Sequence, residues 1–291
     1  MNTILRSGAA EAVISTLGAE LVSFKKLETG NEYIWNGDAE YWTGRSPVLF
    51  PIIGAARGGE IRTGGQTYPI GNHGFARRSE FTLVEATDTQ AVFSLSQNEQ
   101  TLASYPYQFN LVLTYILSGS TLEITYRVDN TDEQEIFFQL GTHPAFNCPV
   151  DGQGAISDYY LEFAESENLE RLFLSNDGLV ISGKSAPVLQ EERILPLSHE
   201  MFLDGALVFR NVKSGHIALK SKLTDKSVIV TSEGFPDLGL WQPKNAPFVC
   251  IEPWQGIADG DDFTGELQDK SGIIALPQGG QFNSSLKIEI A

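Results

Sequence analysis

The chain contains four histidines, and two of them, His73 and His143, stand where an imidazole can do proton chemistry. His143 lies in Thr142-His143-Pro144-Ala145-Phe146-Asn147, after the apolar run Ile136-Phe137-Phe138. The proline drives His143 out of the helical region into extended backbone. A group that titrates near neutral pH is thereby held at a strand end by a stiff turn. His73 lies in Gly71-Asn72-His73-Gly74-Phe75-Ala76-Arg77-Arg78. Glycines on both sides permit a sharp turn or a close approach to a ligand. Asn72, His73 and Arg77 offer donors and acceptors within a few residues. His199 and His216 read as structural.

Two carboxylates complete the inventory. Glu252 ends the apolar run Phe248-Val249-Cys250-Ile251 and precedes Pro253 and Trp254. A glutamate there points either to solvent or into a polar site, because burial without partners is costly. Cys250 shares its face, since residues two apart on a strand point the same way. Trp254 is a flat platform of the kind sugars stack on. Asp237 lies in Gly234-Phe235-Pro236-Asp237-Leu238-Gly239-Leu240-Trp241, a turn with a lone carboxylate and aromatics around it. Pro-Asp is also ordinary turn chemistry. No Cys-x-x-Cys or His-x-His pair supports a zinc site. No phosphate-cradling glycine loop or nucleophile elbow is present.

The elements that must position these residues read as strands. Ala12–Leu17 and Glu20–Lys25 flank Gly18 as an early hairpin, and Gly64-Gly65 marks another. Leu111 to Val128 forms two arms around Ser118-Gly119-Ser120, with Leu122, Ile124, Tyr126 and Val128 alternating with polar residues. Two prolines flank Val48-Leu49-Phe50, so that buried run is not a central strand along its whole length. Further strands are expected at Phe81–Glu85, Ala91–Leu95, Leu161–Phe163, His216–Leu219, Ser227–Thr231, Pro247–Glu252 and Leu286–Ile290. Helical signals are short, as at His199–Leu203. Many short strands with Gly/Pro turns predict an all-β fold, a large antiparallel β-sandwich. The absence of a fixed-period repeat argues against a propeller. One domain spanning 1–291 is expected.

The 291 residues are 42% hydrophobic and 20% charged, enough for a substantial core. The net charge of −17 repels nucleic acid and anionic membrane, so neither is expected as a partner. A few local arginines can still hold one small anion. No signal peptide or spanning apolar run is visible. The two cysteines, Cys148 and Cys250, make no disulfide framework, and a cytoplasmic location is expected.

Four motifs occur in order: Ser46-Pro47-Val48-Leu49-Phe50-Pro51-Ile52-Ile53-Gly54, Asn72-His73-Gly74-Phe75-Ala76-Arg77, Thr142-His143-Pro144-Ala145-Phe146-Asn147 and Ile251-Glu252-Pro253-Trp254. In this the chain resembles the aldose 1-epimerases (mutarotases), and more narrowly their LacX-like bacterial branch, related to the hexose-6-phosphate epimerases. The resemblance implies the galactose mutarotase-like supersandwich and needs no metal or organic cofactor. It implies His143 as general acid, Glu252 as general base, and His73 as a group that polarises the sugar. Asp237 would bind a sugar hydroxyl, and Phe146 and Asn147 would wall the pocket. The family carries an arginine shortly after the first motif. Arg57, displaced by two positions, and Arg77 are the matches available. The implied substrate is a sugar or sugar phosphate, and the chain is expected as a monomer or homodimer.

Three rival readings use the same residues. One is a sugar-binding or sensing protein without turnover, since fold does not determine function. Another is a glycosidase pairing Glu252 with Asp237. The third is a metal site with His73, His143 and Glu252 as ligands.

Overall fold

The computed structural model of the chain describes residues 1–150 and 152–291. The clearest alternation in the sequence becomes the clearest hairpin. Leu122, Ile124, Tyr126 and Val128 are all buried on strand Thr121–Asn130, which pairs antiparallel with Phe109–Ser118. Burying one such side chain stabilises the fold by about 1.5–3 kcal/mol. The strand continues on its other edge into Gln281–Ile290, so the C-terminal segment lies in the sheet interior.

Strand makes up 52% of the chain and helix 7%. The main sheet has 15 strands. Its path runs from Val48–Leu49 through Leu140–Thr142, Phe248–Gln255, Asp237–Trp241 and Leu207–Phe209 to Tyr159–Leu174. It then passes through His216–Ser221, Ser227–Glu233 and Gln281–Ile290 into the hairpin above, ending at Gln90–Ser96 and Thr82–Ala86. A three-stranded sheet, Asn2–Arg6, Ala10–Ser15 and Leu21–Lys26, contributes Leu5, Ala12, Ile14 and Phe24 to the same core as Phe93, Leu113 and Ile288. The architecture is an antiparallel β-sandwich.

Three features differ from the sequence expectation. Leu161–Phe163 is part of a strand extending over Tyr159–Leu174, paired with the unexpected strand Val180–Pro196. The ribbon is bulged, and its second strand is largely exposed and lacks the alternation that half-burial imposes, whereas Tyr159–Leu174 alternates over most of its length. Glu99–Ser104 is a short helix, started by a reciprocal capping box between Asn98 and Thr101. Asp237–Trp241 is a strand rather than a turn, because it pairs with Phe248–Gln255 on one side and Leu207–Phe209 on the other. Among the described residues, no helix is long and apolar enough to cross a membrane.

His73 and Gly74 both adopt left-handed backbone, with φ of 61° and 68°. Gly74 bridges Phe50, and a Cβ on it would lie 2.2 Å from the Phe50 carbonyl oxygen. Gly64 has a similar φ of 58°, but nothing lies within 4 Å of its missing Cβ. Gly74→Ala should therefore lower stability by roughly 2–4 kcal/mol, combining left-handed strain with overpacking, and Gly64→Ala by only about 1 kcal/mol. Urea unfolding of both variants measures the difference. Equal losses would show that the packing against Phe50 is not a constraint.

Candidate active site

Strand Phe248–Gln255 is buried along all but its last residue. On one edge it pairs with two short strands, Leu140–Thr142 and Ala145–Asn147, separated by His143 and Pro144. Gly141 opposes Trp254 and Ala145 opposes Cys250, so the register carries across the break and sets His143 opposite Glu252. The Ile251 N–H donates to the Pro144 carbonyl at 3.2 Å, which keeps the interrupted edge attached. The proline has no N–H to offer the ladder, which accounts for the break.

His143 Nε2 lies 3.2 Å from Glu252 Oε2, with the two residues only 6% and 1% exposed. The alignment is not that of a hydrogen bond: Glu252 Oε2 and His143 Nδ1 are buried without a hydrogen-bond partner. Burial pushes the Glu252 carboxyl well above the usual carboxylate range. Burial also lowers the His143 imidazole to about 3, with the Arg77 charge acting in the same direction. Burial thus favours the neutral form of each member over a separated ion pair. The imidazole is clamped by aromatic rings: Trp42 stacks on it at 4.8 Å, and Trp241 meets it edge-on at 5.7 Å.

His73 approaches the pair from another element. Its ring lies 5.7 Å from that of His143 and 6.4 Å from that of Trp254. The His73 N–H donates to the Gly54 carbonyl, and the Gly54 N–H donates to His73 Nδ1 at 3.0 Å. With Nδ1 accepting, the neutral imidazole carries its proton on Nε2. Burial, then His143 and Arg77, hold its pKa well below the ordinary histidine value, so it serves as a neutral donor. Trp254 occupies a slot between two glycines: a Cβ on Gly141 or Gly239 would lie 2.7 or 2.6 Å from its indole. Its Nε1 donates to the Thr142 carbonyl.

These residues line one cavity of about 750 Å³, a size suited to a small ligand. His143, Glu252, His73, Asn72, Arg77 and Trp254 all face it. The Arg77 guanidinium donates to the Asn72 carbonyl and keeps a buried Nε without a partner. Trp42, Trp241 and Asp204 also line the cavity, as do Asn176 and Lys184 from the Tyr159–Leu174/Val180–Pro196 ribbon. Of these five, the sequence reading touched only Trp241, as an aromatic beside Asp237. Asp204 carries the signal used elsewhere, a carboxylate in a tight turn (Leu203-Asp204-Gly205) just before an apolar strand. The ribbon residues carry none, because a polar exposed strand has no distinguishing pattern.

Four expected site residues lie elsewhere. Asp237 is buried beneath the sheet, where Arg210 Nε donates to it at 2.6 Å and the Gly256 N–H at 3.1 Å. A lone carboxylate in a Pro-Asp turn cannot announce a distant arginine, and Asp237 does not line the cavity. Phe146 is fully buried in the main core, and the Asn147 side chain donates to the Glu32 and Ile34 carbonyls. Arg57 is exposed and turns away, donating to the Phe263 carbonyl, while its N–H donates to Asp259 Oδ2. The metal triad of His73, His143 and Glu252 is not assembled either. Among the described residues, the group of potential ligands is His143, Cys250 and Glu252. Both cysteines are buried and free.

The family model of the aldose 1-epimerases matches residues 2–269, and the chain belongs to that family. The chromosomal LacX protein of Lactococcus lactis is 36% identical over 270 residues, covering 90% of each chain, and its plasmid counterpart matches to the same extent. A galactose mutarotase related enzyme from Lactobacillus acidophilus superposes with a TM-score of 0.95 at 32% identity, covering 100% of this chain and 97% of that one. A galactose mutarotase-like protein from Lactobacillus casei superposes at 0.91 with 30% identity, covering both chains fully. The fold is the galactose mutarotase-like sandwich.

Asp259 braces the cavity wall. It accepts an ion-pair hydrogen bond from the buried Lys270, its own N–H donates to the Ala55 carbonyl, and its carbonyl accepts from the Val180 N–H. Asp259→Asn leaves Lys270 buried and unpaired, and should cost about 3–5 kcal/mol. Chemical denaturation should show Asp259→Asn/Lys270→Met to be more stable than Asp259→Asn alone. If the single variant unfolds like wild type, the ion pair does not hold this wall.

Proposed function

We propose that the protein interconverts the α and β anomers of an aldohexose or its 6-phosphate, with His143 as acid and Glu252 as base. The observation that carries this reading is the juxtaposition of the two side chains at 3.2 Å in a sugar-sized cavity. The Glu252 carboxylate takes the proton of the anomeric hydroxyl while the His143 imidazolium gives its proton to the ring oxygen. The C1–ring-oxygen bond breaks and leaves the open-chain aldehyde. Rotation about C1–C2 presents the other carbonyl face. The ring oxygen then attacks C1 as His143 takes its proton back and Glu252 returns a proton to O1. Throughout, the pair exchanges between two tautomers that carry the same single proton. His73, a neutral donor, hydrogen-bonds a sugar oxygen near the reacting carbon, and Trp254 and Trp42 offer flat apolar faces.

Arg77 and Lys184 line the cavity, and neither forms an ion pair among the described residues. Two uncompensated cations in so acidic a chain support extending the substrate to a hexose 6-phosphate. Asp204 suits a sugar hydroxyl. The whole chain is read as one catalytic unit acting without a cofactor.

Three outcomes follow. His143→Asn and Glu252→Gln should each lower kcat by about 10²–10⁴-fold, as loss of a positioned acid or base does, while sugar binding survives. Polarimetry of fresh α-D-glucose and α-D-galactose, with calorimetry for binding, reads both; wild-type-like kcat in either variant excludes the mechanism. Next, kcat/KM should show no titration step near 6.5, the ordinary histidine value. Acid adds a second proton and removes the base only as pH falls towards about 3. Alkali removes the shared proton, and with it the acid, only well above the usual carboxylate range. A clear step near 6.5 would mean that His143 titrates independently of Glu252. Finally, Lys184→Ala should lower kcat/KM for a hexose 6-phosphate about tenfold, the loss of one charge-assisted hydrogen bond, and leave the free hexose unchanged. An equal effect on both substrates removes the phosphate from the reading.

A further inference from the structure

Cys250 takes no part in the reaction proposed above, yet it stands beside both residues that do. It lies two residues before Glu252 on the same face of the strand, and its register partner is Ala145, two residues after His143. The ligand atoms of His143, Cys250 and Glu252 all lie within 4.8 Å of one another. Cys250 is fully buried and forms no disulfide. Two polar atoms of the trio, His143 Nδ1 and Glu252 Oε2, are buried without a hydrogen-bond partner. Buried polar atoms left unsatisfied in this way mark a strained, reactive or ligand-binding position.

We propose that His143, Cys250 and Glu252 form a binding site for a thiophilic divalent cation of the zinc class. A thiolate, an imidazole and a carboxylate are each established ligand types for this ion, whereas magnesium and calcium require oxygen ligands. The charges balance as well: thiolate and carboxylate together neutralise the dication, so the buried site carries no net charge. The thiol proton and the single proton shared by His143 and Glu252 both leave to solvent as the metal binds. Zinc–ligand distances of about 2.0–2.3 Å place an ion inside the triangle of ligand atoms after small side-chain adjustments. Three protein ligands leave the fourth tetrahedral position towards the cavity, for a water or a sugar hydroxyl. The bound ion takes the imidazole lone pair and the carboxylate oxygen that proton transfer needs. Zinc is therefore an inhibitor, a consequence that rests on the catalytic reading above; the binding itself does not.

The test uses the full chain, freed of metal by chelation. Equilibrium dialysis with Zn²⁺ should show one ion per chain, and Co²⁺ should give a thiolate-to-metal charge-transfer band. Cys250→Ser should weaken zinc binding about tenfold or more and abolish the cobalt band, while zinc-free epimerase activity stays at the wild-type level. Cys250→Ala repeats the test should the serine variant fold poorly. Mg²⁺ at the same concentration should neither bind stoichiometrically nor inhibit. Sub-stoichiometric zinc, a missing cobalt band in the wild-type chain, or unchanged zinc affinity without the thiol would each overturn the proposal. Stoichiometric, Cys250-dependent zinc in a chain that shows no epimerase activity when metal-free upholds the site and counts against the catalytic reading instead.

Discussion

The site depends on one interruption in one strand ladder. Phe248–Gln255 runs unbroken, while its neighbour is cut at His143-Pro144 and resumes in register. Gly141 opposite Trp254 and Ala145 opposite Cys250 leave no freedom in where His143 falls: it faces Glu252. A one-residue slip on either strand would turn one of the two side chains to the opposite face. The sheet thus places two ionisable groups together in a buried position that neither would occupy alone. Burial removes the water that would keep both charged, so the charged form of each is disfavoured.

Such a site needs rigid surroundings, and the chain supplies them with other buried polar groups. Gln139 accepts from the Ile53 N–H and donates to the Ile257 and Ser271 carbonyls, tying the strand before His143 to two cavity walls. Asp237 holds Arg210, Asn211 and Gly256 together behind Glu252. Asp259 with Lys270 fixes the Ala55 and Val180 segments. Several carboxylates in this molecule are thus scaffold, and buried charge alone does not separate scaffold from site. The separation comes from the cavity: Glu252 and Asp204 line it, and Asp237 and Asp259 do not.

The cavity is also assembled from parts of unequal origin. Its floor of Glu252 and Trp254 on one buried strand, with His143 in the break of the neighbouring one, contrasts with Asn176 and Lys184, which come from the turn and the exposed second strand of a bulged ribbon. A rigid floor beneath a more exposed rim is the usual division in proteins whose loops are positioned by a scaffold. The ribbon is anchored at its base through Val180, which bridges Gly260. Changes in the ribbon's turn can therefore alter what enters without moving the floor.

Local chemistry made much of this legible from sequence. Alternation in Leu122–Val128 reflects half-burial, and it specified that hairpin directly. Proline after His143, glycines around His73 and a glutamate closing an apolar strand each signal a backbone or solvation constraint that belongs to the residue itself. Three other assignments needed the fold. Asp237 and Arg57 have the right residue types, but their partners, Arg210 and Phe263, are remote in sequence. Phe146 faces the core because the register of its strand against Val249 turns it there. Asp204, Trp42 and Lys184 reach the cavity only because a turn, a loop and a strand remote in sequence converge on it. By itself the sequence determined which residues carry unusual local constraints, since those act through neighbours along the chain. Only the tertiary structure decided which of them meet, because pairing register and long-range packing lie outside any local window.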